Sequence, residues 1–342
     1  MFQVDGGRIT DPDVFVAVDL ARAVEGTDGL VVQFSNPDAC KVATLQALNE
    51  ACRLAGDRLT VRFYQHDDEG FDARYLSHLP DVANLALDCL DRISHVEAIS
   101  QLPKLERLHF GVLDFDQPQF LETLNLRQLR SLTIAENRKR NLDLAPLADA
   151  VNLQDLFVQG HWKGIEVISH LPDLATLSLS SFGGKLRLDF VSAIASLKKF
   201  TLILGSRANL GDFSHQTLEK LRILRVSGLG TLGDLGRFPA LSALQVHDQL
   251  KLVEVDLRHV GLEWLSLFNC KNLRTLPGLE LQDRLQEFEA CRVGLDLDSL
   301  RDGTWPATTR AVRLISTREK WNVEAEKKLA ERKLSSEVSR WI

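Results

Sequence analysis

Apolar residues recur along most of the chain in one arrangement: an apolar residue, two variable residues, a Leu-like residue, one variable residue and another apolar residue, or L-x-x-L-x-L. The copies are Val82-Leu85-Leu87, Leu105-Leu108-Phe110, Leu129-Leu132-Ile134, Leu153-Leu156-Val158, Leu174-Leu177-Leu179, Leu197-Phe200-Leu202, Leu221-Leu224-Val226, Leu241-Leu244-Val246 and Leu262-Leu265-Leu267. Two weaker copies follow at Leu285-Phe288-Ala290 and Thr309-Val312-Leu314. Their middle residues are spaced by 23, 24, 24, 21, 23, 24, 20, 21, 23 and 24 residues. A period of this length marks stacked supersecondary units, each burying its leucines against its neighbours. In a strand, successive side chains alternate between faces, so the two later apolar residues point inward and the residues beside them outward. Leu79-Pro80, Leu102-Pro103, Leu171-Pro172 and Phe238-Pro239 each stand three residues ahead of a copy. Proline fixes φ and disfavours helix in the residue before it, so these pairs close an outer segment and turn the chain into the next strand.

The same pattern organises the ends. Leu30–Phe34 and Leu59–Phe63 alternate as strands, and Asp38–Ala55 between them is an amphipathic helix. Pro37 and Asp38 open that helix, Gly56 follows it, and Val42, Leu45, Leu48 and Leu54 form its apolar stripe. Because Val61 precedes Leu85 by 24 residues, this βαβ unit enters the repeat in register as an N-terminal cap. Arg318–Trp341 favours helix, with Trp321, Val323, Leu329, Leu334, Val338 and Trp341 as its apolar residues. It serves either as a cap for the last repeat or as a partner-binding or dimerising helix that gives a homo-oligomer. The expected organisation is residues 1–75 as N-terminal cap, 76–315 as about eleven repeats of 20–24 residues, and 316–342 as C-terminal cap.

The segment Leu262-Glu263-Trp264-Leu265-Ser266-Leu267-Phe268-Asn269-Cys270-Lys271-Asn272-Leu273-Arg274-Thr275-Leu276-Pro277 resembles the leucine-rich-repeat pattern L-x-x-L-x-L-x-x-C-x-x-L-x-x-L-P. The chain is thus similar over roughly residues 76–315 to the leucine-rich-repeat superfamily, in particular its short bacterial and SDS22-like types with a Leu-Pro turn. The resemblance implies an α/β horseshoe with a concave parallel sheet that binds proteins. It also implies that Cys270 sits at the ladder position, where the family bonds neighbouring backbone with Asn or Cys. Leu90, Asn137, His161, Phe182 and Leu229 fill that place elsewhere, so the ladder is degenerate.

Composition narrows the function without naming it. The chain has 342 residues, of which 44% are hydrophobic and 26% charged, enough apolar material for a continuous core. A formal net charge of −6 argues against nucleic acid as the main partner. The five cysteines include no C-x-x-C pair, the nine histidines show no metal-ligand spacing, and nowhere do eighteen apolar residues run together. No metal, cofactor or membrane is therefore expected, and the expected setting is cytoplasmic, with a secreted effector using no cleaved signal left open.

Gly228-Leu229-Gly230-Thr231-Leu232-Gly233 matches G-x-G-x-x-G but lacks the helix and the distant parallel strand of a dinucleotide fold. Cys89-Leu90-Asp91 has the C-x-D form of the nucleophile of certain bacterial effector ubiquitin ligases, but it follows a repeat strand instead of lying in a helical catalytic domain. A turn cysteine is the simpler account.

With catalysis set aside, the outward residues of the strands are the candidate surface. In its middle they are plain and polar. Towards the C-terminus the repeat frame displays Ile223, Arg225 and Ser227, then His247, Trp264, Phe268, Glu287 and Glu289. Arg225, His247, Trp264, Phe268, Glu287 and Glu289 form the predicted partner-binding set, aromatics flanked by charge. Against it stands a fold in which the C-terminal segment covers Trp264 or a register slip turns it inward. The loop Glu136–Asn141, with Arg138, Lys139 and Arg140, is a second candidate. The expectation is a non-enzymatic scaffold, with an inhibitor or immunity protein facing a basic partner as its specific form. The alternatives are a substrate-recognition module and a self-associating structural protein.

Overall fold

Each L-x-L segment forms a short strand, because its alternate apolar residues can all be buried on one side while the backbone pairs on both edges. The computed structural model describes residues 4–13, 15–27, 29–64, 70–339 and 341, and the chain divides into two units, Met1–Leu174 and Ala175–Ile342. The first unit runs β1 (Arg8–Thr10), α1 (Ala17–Glu25), β2 (Leu30–Phe34), α2 (Val42–Ala55), β3 (Leu59–Phe63), β4 (Phe71–Asp72), β5 (Asn84–Leu90), β6 (Ile93–Ser94), β7 (Arg107–Val112), β8 (Ser131–Ile134) and β9 (Asp155–Gln159). Strands β1, β2, β3, β5, β7, β8 and β9 pair side by side in chain order, all parallel, and β4 pairs separately with β6. The second unit holds β10 (Thr176–Ser180), β11 (Lys199–Ile203), β12 (Lys220–Leu224), β13 (Ala243–His247), β14 (Trp264–Phe268), β15 (Glu287–Cys291), α3 (Leu297–Asp302), β16 (Ala311–Ile315) and α4 (Glu319–Glu331). Its strands β10 to β16 are likewise parallel neighbours in chain order.

Register follows the middle apolar residue. Ile9, Val32, Val61, Leu85, Leu108, Leu132 and Leu156 align in the first unit. Leu177, Phe200, Leu221, Leu244, Leu265, Phe288 and Val312 align in the second. All are buried, so one apolar column per unit forms the core. The outer segments are short 3₁₀ turns, as at Ala73–His78, Val96–Gln101, Ile165–His170 and Leu235–Arg237. Each ends directly before a buried Leu79, Leu102, Leu171 or Phe238 whose N–H closes back on the turn, and the exposed proline then redirects the chain.

One repeat is framed differently from the sequence expectation. Residues 218–226 contain two overlapping matches, Leu218-Leu221-Ile223 and Leu221-Leu224-Val226, and the pairing Phe200↔Leu221↔Leu244 selects the first. Ile223 is therefore buried in the core instead of displayed, Arg222 takes the outward place, and the local steps become 21 and 23. The residue four positions after the middle apolar one turns left-handed in several repeats: Cys89 (φ 54°), at the irregularity within β5, in the first unit, and Ser181 (64°), Leu204 (57°), Arg225 (51°), Asp248 (55°), Asn269 (52°) and Arg292 (53°), each just after its strand, in the second. This conformation is costly for a residue with a Cβ. In the second unit the N–H it turns sideways continues the ladder, as from Arg225 to the His247 carbonyl (3.1 Å) and from Asp248 to that of Phe268 (2.8 Å).

The ends differ in detail from expectation. Strand β1 and helix α1 extend the strand-helix pattern toward the N-terminus, where three-residue β1 gives almost no periodic signal. Pro37–Ala39 is a separate 3₁₀ turn capped by the Asn36 side chain, and α2 begins only at Val42. Its buried stripe is Thr44, Leu45, Leu48, Ala51 and Cys52, while Val42 and Leu54 are exposed. Helix α4 ends at Glu331 and buries Trp321, Ala325 and Leu329, with Val323 exposed. Lys333 then turns left-handed (φ 62°), and the tail runs back across β16, where the Ser335 carbonyl accepts from the Val312 N–H (2.8 Å).

Candidate interaction surface

The second unit places three rows of side chains on the strand face opposite its core. The first row includes Lys199, Lys220, Ala243, Trp264 and Glu287; the second Thr201, Arg222, Gln245, Ser266, Glu289 and Arg313; the third Ile203, Leu224, His247, Phe268 and Cys291. Five of the six predicted partner-binding residues lie here. Arg225 does not: it occupies the left-handed turn after β12, exposed, with its Nε 3.2 Å from Asp248 Oδ2.

His247 and Phe268 are ring neighbours at 5.4 Å. The Ser266 hydroxyl donates to Glu289 Oε2 at 2.6 Å, so its remaining contact, 2.9 Å from His247 Nε2, makes that nitrogen the donor. Arg313 donates to the other Glu289 oxygen at 3.2 Å. Burial holds His247 below the usual histidine range. In a nucleophilic triad the imidazole stands between hydroxyl and carboxylate. Here the hydroxyl is the middle member, fully buried, and donates a hydrogen bond to a carboxylate. The chain of contacts links β13, β14 and β15.

Trp264 is half-buried because the tail folds over it, with the Trp341 ring 5.4 Å away. Glu287 is buried and held by the tail: Ser339 donates its N–H (2.6 Å) and hydroxyl (2.8 Å), and Arg310 donates at 2.7 Å. Burial would raise the Glu287 carboxyl, but these bonds hold it below the ordinary carboxylate range. A cavity of 230 Å³ remains between Trp264, Trp341, Lys220 and Arg310. Trp264 and Glu287 thus serve the tail. No periodicity announces that contact, because a single extended strap carries none.

The repeat frame read from the sequence turns Lys199 and Gln245 outward but not Arg222, and so misses the three as a group. Burial lowers the Arg222 guanidinium from its ordinary value, its Nε has no hydrogen-bond partner among the described residues, and it lies 5.9 Å from the Trp341 ring. Its register neighbour Gln245 is 6% exposed with its side-chain oxygen unmatched, and the Trp264 indole N–H is also unmatched. The near-even step length would have pointed to Arg222, since the frame through Leu221 avoids the short step of 20. Lys199, Lys220, Arg222 and Arg313 outnumber Glu287 and Glu289 on this face, so it is not the acidic surface that a basic partner would call for.

The other candidates resolve locally. In the Glu136–Asn141 loop Arg140 pairs with Glu136, and Lys139 lies 3.8 Å from Asp116. Cys89 is an exposed residue of the recurring left-handed turn. Segment 228–233 opens no α-helix. Among the described residues no group of His, Cys, Asp and Glu could hold a metal ion, and no helix is long and apolar enough to cross a membrane.

No family model and no curated protein matches the chain. Among solved structures it is similar to an internalin from Listeria monocytogenes at 14% identity, covering 98% of this chain and 87% of that one with a TM-score of 0.44. It is similar to a leucine-rich-repeat protein of Leptospira interrogans at 16% identity, covering 93% and 97% with a TM-score of 0.34. A third, from the Drosophila Toll–Spätzle complex, is 14% identical over 91% of this chain and 54% of that chain, with a TM-score of 0.45. What decides the fold is the repeat itself: one parallel strand each time, followed in several copies by a left-handed turn, a buried ladder residue and a short outer segment. This is a leucine-rich-repeat fold. Its ladder is chemically mixed. Cys270 is buried with its sulfur 3.5 Å from the Val246 carbonyl, and burial pushes its thiol up to about 11. In the first unit Asn137 donates to the Phe115 carbonyl (3.1 Å), and His161 accepts from the Leu142 N–H (3.3 Å). In the second, Gly205 (φ 73°) fills the place because a Cβ there would lie 2.0 Å from the Phe182 carbonyl oxygen. The frame through Leu221 puts Val226, not Leu229, at the ladder place.

Proposed function

We propose that the chain is a non-enzymatic scaffold that binds another protein through the strand face of its second unit. The observation that carries this is the pair of polar atoms on that face without partners among the described residues, Arg222 Nε and Gln245 Oε1. Buried polar atoms left unmatched cost free energy that a docked partner would recover. Beside them Ile203, Leu224 and Phe268 offer half-buried apolar surface that the core does not use. The order His247, Ser266, Glu289 supports the non-enzymatic part, since it leaves no activated nucleophile. An inhibitor directed at a basic partner draws no support from the four cations on the face. The proposed setting is cytoplasmic: the thiols of Cys40, Cys52 and Cys291 are pushed by burial up to about 12, protonated and unpaired.

The test is a photo-crosslinking amino acid placed at Ser178, on the strand face of β10, and separately at Asp283, on an exposed outer turn. In lysate of the native cells the Ser178 position is expected to give a discrete protein adduct and Asp283 none. Adducts only at Asp283, or at neither, refute the proposal.

A further inference from the structure

We infer that the partner presents an acidic segment with apolar neighbours, seated across β11, β12 and β13 with one carboxylate on Arg222. This rests on the scaffold reading and narrows it. Lys199 and Lys220 stand side by side in register on β11 and β12, and Arg222 lies two residues beyond Lys220 on the same face. Lys199 and Arg222 are diagonal neighbours on these paired strands, and two cations so placed favour an anion between them.

Glu287 is engaged by Arg310 and Ser339, Glu289 by Arg313 and Ser266, Asp248 by Arg225, and Glu219 by Lys198 at 2.9 Å. Among the described residues no carboxylate lies within ion-pair distance of Lys199 or Arg222.

Gln245 chooses between kinds of anion. Its oxygen, buried beside Arg222, requires a donor, while the guanidinium requires an acceptor. A peptide carrying Asp or Glu offers both, through its backbone N–H and its carboxylate. A phosphate backbone offers acceptors and leaves Gln245 unmatched. The adjacent row of Ile203, Leu224 and Phe268 asks for apolar side chains next to the acid, and a net charge of −6 works against a long polyanion. The fork of a guanidinium fits a carboxylate through two parallel bonds, and this sets the expected size of the effect.

The test uses the full chain and a fluorescein-labelled peptide of alternating Glu and Leu, followed by anisotropy at physiological salt. Its controls are a Lys-Leu peptide of equal length and an oligothymidylate. The Glu-Leu peptide is expected to bind, Arg222→Gln to weaken it about tenfold or more, and Lys199→Gln by a few-fold. Arg138→Gln, in the first unit, is expected to leave it unchanged, with circular dichroism confirming that each variant is folded. Tighter binding of the Lys-Leu peptide or the oligothymidylate overturns the inference, as does an Arg222→Gln variant that binds like the parent. Self-association of the chain that Arg222→Gln abolishes would make a second copy the occupant and also overturn it. A crosslink at Ser178 that survives Arg222→Gln refutes the acidic segment alone, whereas loss of face crosslinks in the parent chain refutes the scaffold as well.

Discussion

Arg62 and Arg222 occupy the same place of the repeat, one residue beyond the middle apolar position, in the first and second unit respectively. Arg62 is satisfied within its own unit. Its Nε and Nη2 donate to the two Asp88 oxygens at 2.7 and 2.9 Å, its Nη1 to Gln33 Oε1 at 2.9 Å, and it lies 4.3 Å over the Tyr64 ring. Gln33 continues the network to Thr10 at 2.9 Å, so four parallel strands share it. Hydrogen bonding to Asp88 raises Arg62 above its ordinary value, whereas burial lowers Arg222, which pairs with no acid among the described residues. The same side chain in the same register is therefore held by an acid on one face and by none of the described acids on the other. The neighbours on adjacent strands decide which, not the residue type.

The comparison breaks most readily at its register. Leu221→Ala is expected to cost about 2–5 kcal/mol and Leu224→Ala about 1 kcal/mol or less, measured by urea unfolding, because only Leu221 is fully buried. Equal costs would mean that Arg222 does not share the place of Arg62. Next in size is the pair itself. Arg62→Gln leaves Asp88, with its side chain only 14% exposed, without its cation and is expected to cost about 3 kcal/mol. Arg222→Gln breaks no ion pair and is expected to fall within about 0.5 kcal/mol of the parent. A large loss at Arg222 would make it a structural residue.

Smaller effects sharpen the picture. Burial lowers both His109 in the first unit and His247 in the second from the histidine value of 6.5. The unfolded chain therefore binds their protons first, so stability should fall as pH drops below about 6.5 and level off below the folded-state values. His247→Gln should flatten this slope in pH-dependent unfolding, and an unchanged slope would place the titration elsewhere. The smallest expected effect is that of Trp341→Ala: with the tail lifted from Trp264, tryptophan emission should shift to the red with little change in unfolding midpoint. An unshifted spectrum would mean that the tail does not shield Trp264.

Periodicity alone determined the repeat length, the inward leucines, the outer turns before each proline and the outward faces of most strands, because each is a local consequence of alternation and of proline's fixed φ. The same local rule is blind where it matches twice: Leu218-Leu221-Ile223 and Leu221-Leu224-Val226 satisfy it equally, and only pairing with Phe200 and Leu244 chose between them. It was blind also to β1, which is too short to alternate visibly, and to the tail that covers Trp264 and claims Glu287 from 52 residues away. Which polar groups on the strand face are satisfied is a property of strands lying side by side, and their residues stand more than 20 positions apart in the chain. Local alternation can place Arg222 on a face, but only the stacked neighbours show that no carboxylate among the described residues pairs with it there.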